Sequence, residues 1–194
     1  MAPIRAKRMT TGPVTQLLAA AGRGEPGAHE RLWTAIYEEL HTVARRQMAL
    51  EPPGRTLQPT ALIHEAYLRL FGKDAEGWAN RQHFFAAAAR SMRQIRVDYA
   101  RKRNSAKRAV GARAEGGNDD RASFDDDPTE ILAIDEALKH LEAERPRLAE
   151  VVVLRFFAGL TIDEAAEALE VSPRTVDADW RLAKAWLHRA LTPD

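Results

Sequence analysis

Large apolar residues recur every three or four positions along this chain, and this spacing is the feature that most limits its fold. The first stripe follows the i, i+3, i+4, i+7 pattern of an amphipathic helix and consists of Val14, Leu17, Leu18 and Ala21. Comparable stripes recur in later segments of the sequence. Even the apolar run VVVL at 151–154 lies inside a helical pattern that is too long for a strand. The spacing therefore predicts an all-α fold.

The chain divides by composition into two helical parts with opposite charge. Residues 1–13 are a basic tail, and residues 14–103 carry 14 basic and 9 acidic side chains. Residues 104–128 are rich in Gly, Ser, Asn and Asp, which is typical of a flexible linker. Residues 129–194 carry 8 basic and 13 acidic side chains. We therefore expect two small helical domains with different partners, the basic one being the natural site for a polyanion.

One predicted helix of the first domain combines an apolar stripe with a dense run of positive charge. Residues 90–108 carry eight Lys and Arg side chains, and Asp98 is the only acid among them. The apolar stripe of this helix consists of Phe84, Phe85, Ala88, Met92, Ile95 and Tyr99. We expect the stripe, including both phenylalanines, to lie in the core and the remaining surface to form a cationic strip. The alternative is that Phe84 and Phe85 are exposed platforms on which bases stack.

A second motif, at residues 159–191, carries the signals of two short helices joined by a tight turn. Thr161 followed by Glu164 is a capping box that marks a helix start. Ser172 and Pro173 mark the start of the next helix as its cap and first residue. This pattern predicts a helix-turn-helix whose second helix would enter the major groove.

The outward stripe of that second helix would face the DNA. It consists of Arg174, Thr175, Asp177, Ala178, Arg181 and Lys184. The alternative is a plain helical hairpin with a solvated outer face, since Asp177 and Asp179 would repel phosphates unless they point away.

Composition excludes several other functions. The chain has no cysteine, which excludes disulfides, cysteine-ligated zinc and thiol nucleophiles and fits a reducing compartment. No apolar stretch approaches the roughly 20 residues that span a bilayer. The basic N-terminus, MAPIRAKRMTTGP, lacks the apolar centre of a signal peptide. We expect a soluble, cytoplasmic protein that makes no contact with a membrane.

Catalytic and metal-binding motifs are also missing. His64-Glu65 looks like the start of a zinc-protease motif, but the residue four positions after His64 is Leu68. The six histidines show no ligand spacing, and no Gly-rich phosphate loop occurs. The sequence therefore predicts a protein that is not an enzyme and that uses no metal or cofactor.

Three segments, in order, resemble the extracytoplasmic-function (ECF) sigma factors. They are ALIHEAYLRL at 61–70, HFFAAAARSMRQIRVDYARKR at 83–103 and LTIDEAAEALEVSPRTVDADWRLAKAWL at 160–187. The resemblance covers about Val14 to Leu191. It implies a subunit that binds bacterial RNA polymerase core, melts the minus-10 region of promoter DNA with its first domain and reads the minus-35 element with its second.

The resemblance also assigns roles by position. The residues matching the minus-10 element are Trp78, Asn80, Arg81, Gln82, His83, Arg90, Arg93, Arg96 and Arg101. Those matching the minus-35 surface are Arg174, Thr175, Arg181 and Lys184. Those matching the contact with the polymerase clamp are Glu65, Tyr67 and Arg69, although Tyr67 also suits the core. A possible further partner is an anti-sigma factor.

The sequence departs from the family just before the clamp-binding helix. Relatives carry several acids there, whereas this chain has Gln58, Pro59, Thr60 and Ala61. We hypothesise that a Ser/Thr kinase supplies the missing charge as a phosphate on Thr60 or Thr56, because a helix N-terminus favours an anion. The alternative is that Thr60 is an ordinary capping residue of this helix.

Two other functions stay open. A stand-alone helix-turn-helix regulator would need a dimer interface or a ligand site, and neither is evident in the sequence. A decoy would occupy polymerase without productive DNA contact, which the acidic second domain favours. Salt dependence separates the cases, because a decoy would show little salt-sensitive binding to DNA.

Overall fold

Helices form the secondary structure throughout the residues that the structure describes. The computed structural model describes residues 12–49, 57–72, 78–111 and 128–192, and contains no strand within them. The elements are α1 (Pro13–Gly22), α2 (Ala28–Met48), α3 (Pro59–Leu70), α4 (Arg81–Gly111), α5 (Pro128–Glu144), α6 (Pro146–Val152), a π-helical turn (Val153–Phe157), α7 (Ile162–Leu169) and α8 (Pro173–Leu191). The predicted all-α fold is confirmed.

Local sequence signals set most of the helix starts. Proline occupies the first position of five helices, where its missing amide hydrogen costs no bond within the helix. The Glu164 amide donates to the Thr161 hydroxyl at 3.2 Å, and the Thr161 amide donates to the Glu164 carboxylate at 2.8 Å. The Thr175 amide likewise donates to the Ser172 hydroxyl at 3.1 Å. Both predicted caps, at Thr161 and Ser172, are confirmed.

The first four helices pack around a common apolar interior. α2 lies between α1 and α3, and α3 packs along α4. The largest side chains that are fully buried here are Leu18, Leu32, Ile36, Leu40, Leu62, Ile63, Phe84, Phe85 and Met92. Phe84 and Phe85 are therefore core residues, as predicted.

The remaining helices pack on one another and also on α4. α5 and α6 lie against α8, and α7 packs across α8 and reaches α4. α4 makes extensive contact with α5 and with the π-helical turn. Leu138, Leu141 and Leu154 are fully buried, and they belong to the same apolar cluster as the interior of the first four helices. The two halves of the described chain thus share one core, which the sequence did not predict.

The helix that the sequence extends to Gly159 changes its winding in its last turn. The Ala158 amide donates to the Val153 carbonyl at 2.8 Å, five residues earlier, as in a π-helix. Gly159 then adopts a φ of +77°, which favours glycine. The Arg46 guanidinium of α2 lies where a side chain at position 159 would begin. The wide π-helical turn and the absence of a side chain at Gly159 thus allow this segment to lie close to α2.

Two predicted boundaries differ from the structure. Thr60 is not the cap of α3: the helix starts at Pro59, so Gln58 is the capping residue and Thr60 lies in the first turn. α4 continues to Gly111, past the predicted linker start at Asn104, because Ala, Lys and Arg are good helix formers. Residues 112–127 of the predicted linker lie outside the described residues.

No helix in the described parts of the chain has the length and apolar character needed to cross a membrane.

Replacing Thr161 by alanine should destabilise the fold, because the α7 capping box loses its hydroxyl acceptor. We expect the free energy of unfolding, measured by urea titration of the helical circular dichroism signal, to fall by about 1 kcal/mol. Thr34→Ala is the matched control. Thr34 is exposed on α2, and its hydroxyl donates to the Glu30 carbonyl within the same helix. Equal stability of Thr161→Ala and wild type would show that the cap does not contribute.

Candidate nucleic-acid interface

The start of α4 is held by the polar groups that precede it. The Asn80 side-chain oxygen accepts from the His83 amide at 2.8 Å, as an N-cap does. The Arg81 amide donates to the Thr15 hydroxyl of α1 at 3.2 Å. Asn80 is therefore used as a cap in this structure, while His83 is exposed.

Trp78 is turned towards the core. Its ring lies 5.6 Å from the Phe84 ring and 6.3 Å from the Phe71 ring, both edge-on. The indole nitrogen is buried and has no hydrogen-bond partner among the described residues. The ring is thus packed on aromatic neighbours, with His83 covering it at 5.8 Å.

The first polar residues of α4 face acids from other helices. The Arg81 guanidinium contacts the carboxylate of Glu39 on α2 and lies 3.5 Å from that of Glu164 on α7. The Gln82 amide donates to the Glu167 carboxylate of α7 at 3.0 Å. Both side chains therefore connect α4 with the second half of the chain.

The arginines further along α4 also meet acids of the second half. Arg90 pairs with Glu150 of α6. Arg93 and Arg101 lie 3.2 Å and 3.5 Å from the two carboxylate oxygens of Asp135 on α5. We call Asp135, Glu150, Glu164 and Glu167 the covering acids. In this conformation they contact five of the side chains that the resemblance assigns to the minus-10 element, namely Arg81, Gln82, Arg90, Arg93 and Arg101.

Arg96 differs from the prediction because it is buried, with 5% of its surface exposed. Its guanidinium lies 3.5 Å from the Gln47 side-chain oxygen of α2, and Gln47 in turn donates to the Ala89 carbonyl at 3.1 Å. Gln47 is itself 1% exposed, so the pair forms a polar contact inside the core. Arg96 is therefore inaccessible to phosphates in this conformation.

Arg93 is the most enclosed of the arginines paired to the covering acids. Its side chain is 12% exposed and its guanidinium lies 5.7 Å from the centre of the Phe157 ring. Burial lowers the pKa of Arg93, and the neighbouring Asp135 charge partly offsets that effect. Arg93 and Asp135 are close enough for an ion pair, yet their alignment does not give a hydrogen bond.

α8 presents a different surface. Arg174 and Lys184 are exposed, and the Lys184 ammonium lies 5.4 Å from the Trp180 ring centre. Arg181 is 69% exposed but pairs with Asp177 one turn earlier on α8. The Thr175 hydroxyl lies 2.8 Å from that of Ser172 within the cap. Arg174 and Thr175 therefore lie in the first turn of α8, whereas Arg181 and Lys184 lie two to three turns further along the helix.

Asp179 does not face the solvent side of α8. It is 5% exposed and binds the Arg147 guanidinium through both oxygens, at 2.7 Å and 3.1 Å. The hydrogen bond to Asp179 and its charge raise the pKa of Arg147. Asp179 thus points away from the outward surface, so its charge is balanced within the protein.

α3 carries the three residues assigned to polymerase contact, but they do not share a face. Glu65 and Arg69 pair at 2.8 Å on the exposed side, next to Leu68, which is 72% exposed. Tyr67 is half-buried, and its hydroxyl lies 3.2 Å from the His29 ring nitrogen. Burial raises the pKa of Tyr67. Tyr67 therefore packs between helices, in agreement with its alternative role in the core.

The histidines of α2 and α3 pack on aromatic rings. His29 lies 5.0 Å from the Phe71 ring, and His64 lies 5.0 Å from the Trp33 ring. Within the described ranges, no three His, Asp or Glu side chains come together as a metal ion would require.

Thr60 is exposed in the first turn of α3. That turn contains no acidic residue, and the preceding Gln58 makes no capping hydrogen bond through its side chain. Thr56 lies outside the described residues.

The covering acids and Gln47 are the partners of the α4 side chains that sequence reasoning missed. The available signal was the opposite charge of the two halves, which predicts attraction between them as well as different partners. Charge alone does not identify which acids would meet which arginines.

Comparison with known proteins gives a match to a family. A model whose description is ECF sigma factor matches residues 11–193. No protein among the curated sequences matches the chain.

Glu164→Gln should change how stability depends on pH. The Thr161 backbone amide, followed by the Thr161 hydroxyl and Arg81, lowers the pKa of Glu164 below 4.5. The carboxylate therefore stabilises the folded chain above pH 4.5, and this contribution is lost as the pH falls through the lowered pKa. Glutamine keeps the capping geometry but not the charge.

We expect the stability difference between wild type and Glu164→Gln, measured by urea unfolding at a series of pH values, to shrink in acid. Glu136→Gln, at a position whose side chain is 78% exposed, is the control for losing one charge. A difference that stays constant across the acid range would contradict the proposed role of the Glu164 charge.

Proposed function

The chain belongs to the ECF sigma factor family, and from this premise we propose that it directs RNA polymerase to particular promoters by melting the minus-10 region and reading the minus-35 element. Members of this family bind polymerase core and promoter DNA and are not enzymes. The observation that carries the proposal is the family match across residues 11–193, which includes α1 to α8. Action in the cytoplasm, beside the polymerase, is part of the proposal.

The minus-10 role rests on α4 and the residues before it. Its arginines extend from Arg81 to Arg101, which is about 30 Å along a helix and long enough to follow several phosphates. Strand separation also needs planar or polar groups that hold an unstacked base. His83 is exposed for this role, whereas Trp78 would have to leave its packing on Phe84.

The minus-35 role rests on α7 and α8. Their turn, Glu170–Ser172, is short, and a hydroxyl cap fixes the start of α8. This arrangement suits a helix-turn-helix, in which the N-terminal part of the second helix contacts base edges. Arg174 and Lys184 provide exposed positive charge on α8, while Arg181 would exchange Asp177 for a phosphate.

Polymerase core is proposed to bind the exposed face of α3. Glu65, Leu68 and Arg69 lie one turn apart on that face. An exposed leucine next to a charged pair suits a protein partner better than a nucleic acid. Tyr67 would stabilise this face from its interior side, through the contact of its hydroxyl with the His29 ring.

A second candidate is a decoy that binds polymerase without starting transcription. The pairing of Arg181 with Asp177 favours it, because that pair reduces the free positive charge on α8. Such a protein would occupy polymerase while binding DNA weakly.

Run-off transcription with bacterial core polymerase, with and without this protein, tests the proposal. On genomic fragments that include its own upstream region, we expect transcripts with defined starts that depend on the protein. Core binding, measured by gel filtration, is recorded alongside. Core binding without transcripts would favour the decoy. DNA binding without core binding would favour a stand-alone regulator. Binding to neither core nor DNA would reject the sigma-factor role, the decoy and the stand-alone regulator alike.

The phosphorylation hypothesis concerns the start of α3. Thr60 is exposed within the first turn, where backbone amides are unpaired and the helix dipole is positive. A phosphate there would supply negative charge beside the proposed polymerase face. A Ser/Thr kinase is the partner that this hypothesis requires.

Thr60→Ala and Thr60→Asp test this hypothesis without knowledge of the kinase. Because an acid in the first turn gains from the helix dipole and presents charge to the clamp, Thr60→Asp should bind core about two- to fivefold more tightly than Thr60→Ala. The same pair of substitutions at Thr34, which is exposed on α2, is the control. Equal core affinity of the two Thr60 variants, measured by fluorescence anisotropy, would reject the hypothesis.

A further inference from the structure

The buried side of α8 contains a carboxylate. The buried residues of this helix are Val176, Asp179 and Ala183, which are spaced by three and four positions and therefore lie on one side. The larger Trp180 and Leu187 are only partly buried. Because apolar contacts have no preferred direction, the small side chains of Val176 and Ala183 do little to fix the rotation of α8 about its axis. A directional contact has to come from Asp179.

Asp179 makes that contact with Arg147, the second residue of α6. The Arg147 Nε lies 2.7 Å from one carboxylate oxygen and the Nη2 lies 3.1 Å from the other. Two parallel bonds of this kind fix the plane and the direction of approach, which a single point charge does not. The Arg147 side chain is 60% exposed, so water screens the pair and it adds little to stability. Its main contribution is therefore geometric.

A second polar contact lies on the same side of α8, two turns further along. The Trp186 indole nitrogen donates to the Glu144 carboxylate at 3.3 Å. Asp179 and Trp186 are seven positions apart, which is about 10 Å along a helix. Their partners, Glu144 and Arg147, are three positions apart at the corner where α5 ends and α6 begins. This α5–α6 corner holds α8 at two points, which opposes both rotation and sliding of the helix.

The opposite side of α8 carries side chains that are proposed to contact the minus-35 element. Arg174 lies five positions before Asp179 and Arg181 lies two positions after it, so both project from the far side of the helix, where they are exposed. A rotation of α8 by about 30° would move the end of such a side chain by about 3 Å, given the radius of a helix with its side chains. That distance is enough to break a hydrogen bond to a base edge.

We propose that Arg147 and Asp179 are positioning residues for promoter reading: their paired contact sets the rotation of α8 and thereby decides which base pairs its outward side chains reach. This inference rests on the proposed function, because it assumes that α8 reads the minus-35 element. Neither residue touches DNA in this role. Since their charges cancel, the pair acts on base preference and not on the attraction of the chain to phosphates.

The double variant Arg147→Met/Asp179→Leu tests the inference in the full-length chain. It removes both charges together, so the net charge is unchanged and no buried charge loses its partner. The control is Arg145→Met/Glu142→Leu, which makes similar changes at two exposed positions near the same corner. Each protein is mixed with bacterial core polymerase and with a promoter found by run-off transcription, whose minus-35 and minus-10 segments are randomised separately. Sequencing the retained fragments gives the base preference at each position.

We expect wild type and control to select the preferred bases of the minus-35 segment by about fivefold or more at each position. In the double variant this preference should fall below about twofold, whereas the preference in the minus-10 segment should stay unchanged. The urea midpoint of unfolding should stay close to that of wild type, because an apolar pair can replace an ion pair without loss of stability. A pair that only supported the fold would change the midpoint and leave base preference as it is.

A folded double variant that keeps its minus-35 preference would overturn the inference. Equal loss of preference in both segments would also contradict it, because the pair would then support the whole chain and not the seating of α8. If circular dichroism shows that the double variant does not fold, Arg147→Lys is compared with Arg145→Lys by the same criteria, since lysine keeps the charge but not the two parallel bonds. Failure of the proposed function appears separately, as an absence of core-dependent transcripts from the wild-type protein.

Discussion

The packing of α4 against both halves of the chain is the constraint on which the rest of the structure depends. Its apolar side is buried on α2 and α3, and its arginine-bearing side lies on α5 and the π-helical turn. A helix enclosed on both sides cannot leave its cations unpaired, because a buried charge without a partner costs several kcal/mol. The covering acids and Gln47 meet that requirement. The charge and shape of the second half are therefore matched to α4.

The pairing of these acids with α4 changes how the acidic composition of the second half should be interpreted. Its excess of 13 acids over 8 basic residues counts against DNA binding only if those acids face DNA. Four of them, the covering acids, face α4, and Asp179 is used by Arg147 inside the fold. The exposed start of α8 keeps Arg174 without an acid against it among the described residues. Acidic composition and a DNA-reading α8 are thus compatible.

Local features of the fold could be predicted from the sequence, whereas contacts between its halves could not. Helical spacing and hydroxyl caps predicted the helices and where two of them begin, because these signals act within a few residues. Thr60 was wrongly read as a cap, although Pro59 already marked the first helical position. Arg96 follows Met92 by four residues and therefore lies on the same buried side, yet its charge suggested exposure. The pairing of Asp135 with Arg93 depends on how distant helices meet, which no local pattern encodes.

The surfaces for the two proposed partners are separate, and this separation determines how they can influence each other. The face of α3 with Leu68 is exposed, whereas Arg93 of α4 is nearly buried against Asp135, so a partner on α3 would not need to displace the second half to reach its surface. A partner on α3 would change the contact between the two halves only if it bound a separated form more tightly than the form described here. In that case linkage would require that a ligand of the exposed α4 surface strengthen the binding of that partner by the same factor.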